Sequence, residues 1–321
     1  MKVLYILGFA RCGSTILGNL LGEIPGFVHV GELDRFWMRL ARSSAPKCGC
    51  GMKLTECGVW STVLTRIQET FQKEGLSDPG GQANHQQWAQ WVQALRSAAL
   101  KAGLRSPRHA NNREAQLYRK IVEETFGQIG RVFGAKVIVD SSKDAASGLL
   151  LTGMATIQPY FLHLIRDPRG AVLSRQKRKA QKTDGVFDLK FRSTVIDSLR
   201  WFQNNRAAEA LKSSGEIRYF RLRYESLIDN PRNSLSNIMR FLDESPTDSP
   251  LVDGSTAWLR ENHTIGGNRN RFKSGEIELK IDNTWVSSMK RRDCLIVAAL
   301  TAPLLKRYEY TLKRSYPLPR S

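Results

Sequence analysis

Residues 2–21 read KVLYILGFARCGSTILGNLL. Lys2 to Leu7 is a continuous apolar, β-branched and aromatic run, the pattern of a strand covered on both faces. After Gly8 to Thr15, the residues Ile16, Leu17, Leu20 and Leu21 return at helical spacing. A glycine-bearing turn between a buried strand and a helix directs backbone N–H groups and the helix dipole at an anion. Gly8 and Gly13 have the spacing of a phosphate loop, and Ser14 and Thr15 offer hydroxyls at the helix start. The ATPase form of that loop needs a lysine before its Ser/Thr to reach the β- and γ-phosphates. Here Ser14 takes that place and the cation stands earlier, at Arg11. No Mg²⁺-holding aspartate follows a later strand in the expected apolar setting. The turn therefore suits one phosphate and a neighbouring anionic group, without nucleotide hydrolysis.

The alternation of strand and helix recurs along the chain. A short strand, Phe27 to Val30, leads into Gly31-Glu32-Leu33. Helices are expected over 60–73, along the stripe Trp88, Trp91, Leu95 and Ala99, and from Glu114 to Ile129, with a Gly/Asp/Pro-rich loop from Glu74 to Asn84. Ala135 to Val139 reads as a buried strand followed by Asp140-Ser141-Ser142-Lys143. Tyr160 to Ile165 reads as another, followed by Arg166-Asp167-Pro168-Arg169-Gly170, where Asp167 as N-cap and Pro168 at the first position start a helix. A long helix over 192–212, a strand from Ile217 to Leu222, the Tyr224–Leu227 turn and a helix near Pro231 come next. A Gly/Asn/Arg-rich loop at 265–275, a helix near 285–300 and a loose tail over about 315–321 complete the chain. The pattern predicts an α/β fold with a mostly parallel central sheet flanked by helices, its ligands at the strands' carboxyl ends. One domain is expected over 1–321, with a helical insertion at about 34–130.

Composition narrows the function. With 321 residues, 41% hydrophobic and 25% charged, the chain is neither disordered nor collagenous. No apolar run approaches the ~20 residues that span a bilayer, and the apolar start meets Arg11 in place of a cleavage site. A soluble, cytoplasmic protein is expected. The net charge of +19 favours anionic partners: nucleic acid, acidic membranes or a multiply phosphorylated small molecule. Seven basic residues and one acid lie between Arg166 and Lys182. Of the five cysteines, Cys48, Cys50 and Cys57 cluster, but a structural zinc usually takes four ligands and no histidine lies within the cluster, so a disulfided or simply buried local knot is expected at least as readily. No metal is expected.

Arg166 ends a buried strand, and Ser174 lies one turn beyond Gly170 on the same helix face. A guanidinium with a hydroxyl clamps a phosphate dianion, each charge-assisted hydrogen bond contributing roughly 1.5–3 kcal/mol. Two anion sites on adjacent strand ends suggest a nucleotide phosphorylated at two separate places. A third basic element, Gly266 to Phe272, carries Arg269 and Arg271 among glycines, placed to close over a phosphate.

These segments resemble those of sulfotransferases that use 3′-phosphoadenosine 5′-phosphosulfate (PAPS). GFARCGSTIL (Gly8–Leu17) is similar to the family's 5′-phosphosulfate loop, and RDPRGAVLS (Arg166–Ser174) to its 3′-phosphate motif. VDSSK (Val139–Lys143), YESL (Tyr224–Leu227), GNRNRF (Gly267–Phe272) and the Cys48–Trp60 knot are similar to segments of the bacterial branch. Many members have Lys where Arg11 stands, and Cys12 replaces the commoner Ser. The resemblance implies a P-loop-like sulfotransferase fold and in-line transfer of a sulfuryl group from PAPS, as co-substrate and without metal. The acceptor would be a hydroxyl or amine of a small molecule, lipid or carbohydrate. Arg11, Cys12, Gly13, Ser14 and Thr15 would hold the 5′-phosphosulfate, Arg166 and Ser174 the 3′-phosphate, and Arg269 and Arg271 would close over the donor. Arg11 and Lys143 would stabilise the transferring charge, and Glu32 would be the general base, with His29 and His163 as rivals that strand periodicity packs inside. The competing readings are a P-loop small-molecule kinase, opposed by Ser14 in place of the lysine, and a non-enzymatic nucleic-acid-binding protein. The second is opposed by the absence of an aromatic-interleaved basic stripe.

Overall fold

The structure, a computed structural model, describes residues 1–42, 46–74, 84–105, 113–180, 187–213, 217–246 and 250–312. The first strand, β1, spans Lys2–Leu7, and helix α1 spans Ser14–Gly22, as the opening pattern requires. They are followed by β2 (Phe27–Gly31), α2 (Phe36–Leu40), α3 (Gly58–Lys73), α4 (His85–Arg105) and α5 (Arg113–Phe133). Next come β3 (Val137–Lys143), α6 (Ala145–Leu151), β4 (Gln158–Ile165), α7 (Pro168–Ala180) and α8 (Phe187–Lys212). The chain continues through β5 (Arg218–Arg223), α9 (Tyr224–Asp229), α10 (Pro231–Phe241), β6 (Thr256–Leu259), β7 (Gly275–Glu278), α11 (Trp285–Ser288) and α12 (Arg291–Arg307).

A central parallel sheet of five strands has the order β2-β3-β1-β4-β5. Helices join its strands, as parallel neighbours demand. Three local expectations are revised. The strand after Ala135 begins at Val137 and runs through Asp140-Ser141-Ser142-Lys143 instead of stopping before them, because Asp140 to Ser142 are buried and β2 is paired alongside. The Tyr224 turn is the first turn of α9, and the helix near 285–300 divides into α11 and α12 at Met289 and Lys290. The β6–β7 ribbon was not foreseen. Its four-residue strands are too short to carry a period-2 signal. Most of the expected Glu74–Asn84 loop and the tail beyond Leu312 lie outside the described residues.

The chain forms two compact units. One comprises residues 1–6, 15–161 and 258–277. Its helical part is held by aromatic packing of Phe36, Trp37, Trp60 and Trp88, with Phe36 and Trp60 fully buried. Of the expected α4 stripe, Trp88, Leu95 and Ala99 are buried and Trp91 is half-buried. The other unit comprises residues 7–14, 162–257 and 278–321. Phe9, Ile165, Ala171, Trp201, Leu305 and Tyr308 form its core beneath α7, α8 and α12. Among the described residues no helix is long and apolar enough to cross a membrane.

Candidate active site

In the second unit the Gly8–Ser14 turn is shaped by close approach. Gly8 has φ 141°, and a Cβ there would lie 2.4 Å from the Leu164 carbonyl oxygen. Gly13 has φ 98°, and a Cβ there would lie 2.4 Å from the Tyr224 ring. Both positions are closed to any L side chain. Between them Arg11 takes φ 73°, an uncommon conformation for a non-glycine residue and one that clusters at functional sites. Cys12 is buried and its N–H turns back to the Phe9 carbonyl at 3.3 Å, while Ser14 begins α1.

Arg166 leaves β4 almost wholly buried. It donates to the Arg11 carbonyl (3.1 Å) and to the Asp282 carbonyl (2.7 Å) and carboxylate (2.9 Å), and lies over the Tyr224 ring. Burial opposes the Asp282 charge, but Arg166 outweighs it and holds that carboxyl below its ordinary value. Arg11 Nε in turn donates to Ser174 Oγ at 2.9 Å. The two expected anion contacts are thus one connected chain, Arg166 to Arg11 to Ser174. Supporting groups fix it: Asp167 accepts from the Arg169 N–H and from the buried Arg169 guanidinium, which stacks on Trp285, and Trp201 donates to the Arg166 carbonyl.

In the first unit, β2 meets β3 with an irregular step between His29 and Gly31, a bulge that re-aims the chain into Glu32. Gly31 has φ 84°, and a Cβ there would strike the Ile265 carbonyl. The Glu32 N–H donates to that carbonyl at 2.8 Å. The turn after Glu32 is anchored on the end of β3: Asp140 accepts from the Leu33 N–H and Ser142 Oγ from the Asp34 N–H. Lys143, at φ 76°, donates to one Glu32 oxygen at 3.0 Å, and Arg39 donates to the other at 2.8 Å. Burial raises the Glu32 pKa, but Lys143, Arg35 and Arg39 together hold it below the ordinary value. Gly266 makes room for Arg39, since a Cβ there would lie 2.3 Å from the guanidinium.

Thr15 Oγ1 accepts from the Asn268 N–H at 3.3 Å, which ties the basic loop to the start of α1. Within that loop Arg269 is exposed. Arg271 is buried, donating to the Thr264 (2.6 Å) and Lys47 (2.7 Å) carbonyls, and burial with Arg39 nearby lowers its pKa to about 10. His29 bonds Asn19 and Ser141, and burial lowers its pKa to about 3; His163 bonds Tyr219 and Asn205, and burial lowers its pKa to about 4. Both histidines are packed, as strand periodicity predicts.

Sequence reasoning missed Asp282, Arg39 and His263. Asp282 and Arg39 belong to no motif. His263 arrives beside Cys48 and Cys57 from more than 200 positions away, with Nδ1 at 3.6 and 3.3 Å from their sulfurs. The expectation of no metal rested on the absence of a nearby histidine, and the fold brings one in.

The parallel α/β sheet carries a glycine-shaped turn after its first strand, with Arg166 and Ser174 following β4. Residues 4–248 match the model of the "Sulfotransferase family", and the chain belongs to that family. No curated protein matches the sequence. Among solved structures, the chain is similar to the sulfotransferase domain of the Synechococcus PCC 7002 olefin synthase, at 19% identity and TM-score 0.55, with 98% of this chain and 96% of that one covered. It is also similar to a sulfotransferase domain from the curacin biosynthetic pathway, at 18% identity and TM-score 0.55, with 97% and 99% covered. At these identities the likeness is one of fold.

Proposed function

We propose that this sulfotransferase takes its sulfuryl group from PAPS and passes it to a hydroxyl or amine of a small-molecule, lipid or carbohydrate acceptor. The observation that carries the reading is the Arg166–Arg11–Ser174 chain beside a turn that only glycines can build. In this reading the turn from Arg11 to Thr15 holds the 5′-phosphosulfate, and Arg166 and Ser174 hold the 3′-phosphate. The exposed Arg269 covers the donor, and Arg271, spent on two carbonyls, shapes the loop that presents it. The acceptor oxygen attacks sulfur, the bond from sulfur to the 5′-phosphate oxygen breaks, and Glu32 takes the acceptor's proton. Arg11 and Lys143 stabilise charge on the transferring group and the leaving phosphate. The products are a sulfate ester or sulfamate and adenosine 3′,5′-bisphosphate.

The test has two arms. Labelled PAPS is incubated with the enzyme and a cell extract, and the labelled product is identified. Thermal unfolding is then followed with adenosine 3′,5′-bisphosphate and with AMP. Stabilisation follows RT ln(1 + [L]/Kd), so the bisphosphate raises Tm well above the AMP value. Equal shifts would remove the reading of two phosphate contacts.

A further inference from the structure

We infer that Cys48, Cys50, Cys57 and His263 form a structural zinc site. Their four ligand atoms all lie within 4.8 Å of one another. Zinc–thiolate bonds are ~2.3 Å and zinc–imidazole bonds ~2.0–2.1 Å, so the edges of a tetrahedral S₃N site are about 3.8 Å between sulfurs and about 3.5 Å from sulfur to nitrogen. Cys50 and Cys57 present their sulfurs 3.8 Å apart. His263 Nδ1 lies 3.6 Å from the Cys48 sulfur and 3.3 Å from that of Cys57. These spacings match a coordination shell. A sulfur–sulfur bond is ~2.0 Å, and all three cysteines are free thiols.

The backbone around the four residues is built to aim them. Cys48 and Cys50 sit on a tight turn, where the Gly51 N–H donates to the Cys48 carbonyl, Gly51 takes φ 86°, and the Cys48 N–H donates to the Met52 carbonyl at 2.7 Å. Cys57 is the N-cap of the sixteen-residue helix α3, and its sulfur makes no cap hydrogen bond. His263 is fixed by its own carbonyl, which accepts from Trp60 Nε1 at 2.6 Å. Gly49 permits the approach of that segment, because a Cβ there would lie 2.2 Å from Asn262 Oδ1. Cys48 and Cys57 are buried, so a metal held there is closed to solvent on two sides. Three thiolates on a dication leave one negative charge. The buried Arg271, held on the carbonyl of Lys47 next to Cys48, supplies the compensating cation.

Four protein ligands in a tetrahedron define a structural site, and soft thiolates with one imidazole select zinc. The metal staples the Cys48–Cys57 segment to residues 262–265. That strand-like segment pairs with Gly31, and its Ile265 carbonyl receives the Glu32 N–H. The site therefore holds in place both Glu32 and the start of the Gly266–Phe272 loop.

The test is metal analysis of the full chain, purified without chelating resin, followed by cobalt substitution. One zinc per chain is expected. Cobalt in its place should give the intense visible bands of a tetrahedral ion and a sulfur-to-cobalt charge-transfer band in the near ultraviolet. Cys50→His keeps four ligands, so it should retain the metal and lose about a third of the charge-transfer intensity. Cys294→Ser, away from the cluster, should leave metal content and spectrum unchanged. His263→Ala should lower metal affinity by at least tenfold, read by competition with a chromophoric chelator on whatever fraction folds. A folded wild-type chain that takes up neither zinc nor cobalt would overturn the assignment. So would a cobalt spectrum without thiolate bands, or a disulfide among Cys48, Cys50 and Cys57 in the purified chain.

Discussion

The Arg166 guanidinium donates to the Asp282 carboxylate at 2.9 Å, so the arginine proposed to hold the 3′-phosphate already holds an anion. Arg166 is buried, whereas the Asp282 side chain is 41% exposed. An incoming 3′-phosphate would therefore displace the partner that water already reaches. Exposed ion pairs contribute about 0.2–1 kcal/mol. Asp282→Asn is expected to tighten adenosine 3′,5′-bisphosphate binding by up to about fivefold in calorimetric titration. Weaker binding in that variant would mean that the carboxylate orients Arg166 for the phosphate and does not compete with it.

Arg11 and Ser174 are hydrogen-bonded to each other, and Arg166 bonds the Arg11 carbonyl. Residues in one network do not contribute independently, and couplings of 0.5–3 kcal/mol are usual. The double-mutant cycle Arg11→Ala, Ser174→Ala should therefore show the second substitution costing clearly less once the first is made. The measured quantity is kcat/KM for PAPS. Strict additivity would separate the two contacts that the geometry joins.

Arg166→Ala should act mainly on donor binding, because the phosphate assigned to it does not react. Loss of uniform binding raises KM with little change in kcat. At roughly 1.5–3 kcal/mol for a charge-assisted contact, KM for PAPS should rise on the order of ten- to a hundredfold. Arg11→Ala should lower kcat as well. The reverse pattern would exchange the two phosphate assignments.

Glu32 is ionised at neutral pH, since Lys143 and the two arginines overcome its burial. The pH dependence of kcat/KM reports the free enzyme's base. With Glu32 in that role, its acid limb should lie below pH 4.5, the ordinary glutamate value. Lys143→Met removes the strongest of the cations that lower the pKa and leaves burial, which raises it. The acid limb should then move upward. Glu32→Gln should lower kcat by about 10²–10⁴-fold while bisphosphate binding persists. An acid limb that stays in place in Lys143→Met, with near-full turnover in Glu32→Gln, would remove Glu32 as the base.

What was legible in the sequence was local. The strand, turn and helix around Gly8 and Gly13, the Asp167–Pro168 helix start and the buried run of β4 are each written in consecutive residues. The two glycines identify themselves because positive φ and close approach leave no other choice. What was hidden depends on contacts across long separations. Asp282 meets Arg166, Arg39 meets Glu32 through the space at Gly266, and His263 meets three cysteines that look one ligand short. Arg271 looked like a phosphate ligand because an arginine among glycines reads as exposed. Its guanidinium is buried and donates to two carbonyls that no local pattern places beside it.

Asp140 extends this contrast to stability. It reads as a polar residue after a strand, yet it lies buried within β3 and anchors the turn beyond Glu32 through the Leu33 N–H and the Ser142 N–H and hydroxyl. Burial pushes its pKa up to about 7, with Asp34 adding to the rise and the Ser142 contacts opposing it. The folded chain therefore binds a proton that the unfolded chain, titrating near 3.8, has already lost. A raised folded-state value means the contribution is fully present below the unfolded pKa and is lost as pH rises through about 7. Each pH unit between the two values corresponds to about 1.4 kcal/mol, which puts the loss at a few kcal/mol. Asp140→Asn carries no charge at either extreme, and its amide oxygen accepts the same three hydrogen bonds. Urea unfolding at pH 5 and pH 8 should show the variant's gain on the wild type larger at pH 8 than at pH 5. A wild-type advantage that grows between pH 5 and pH 8 would show that the ionised carboxylate is the form the fold is built around.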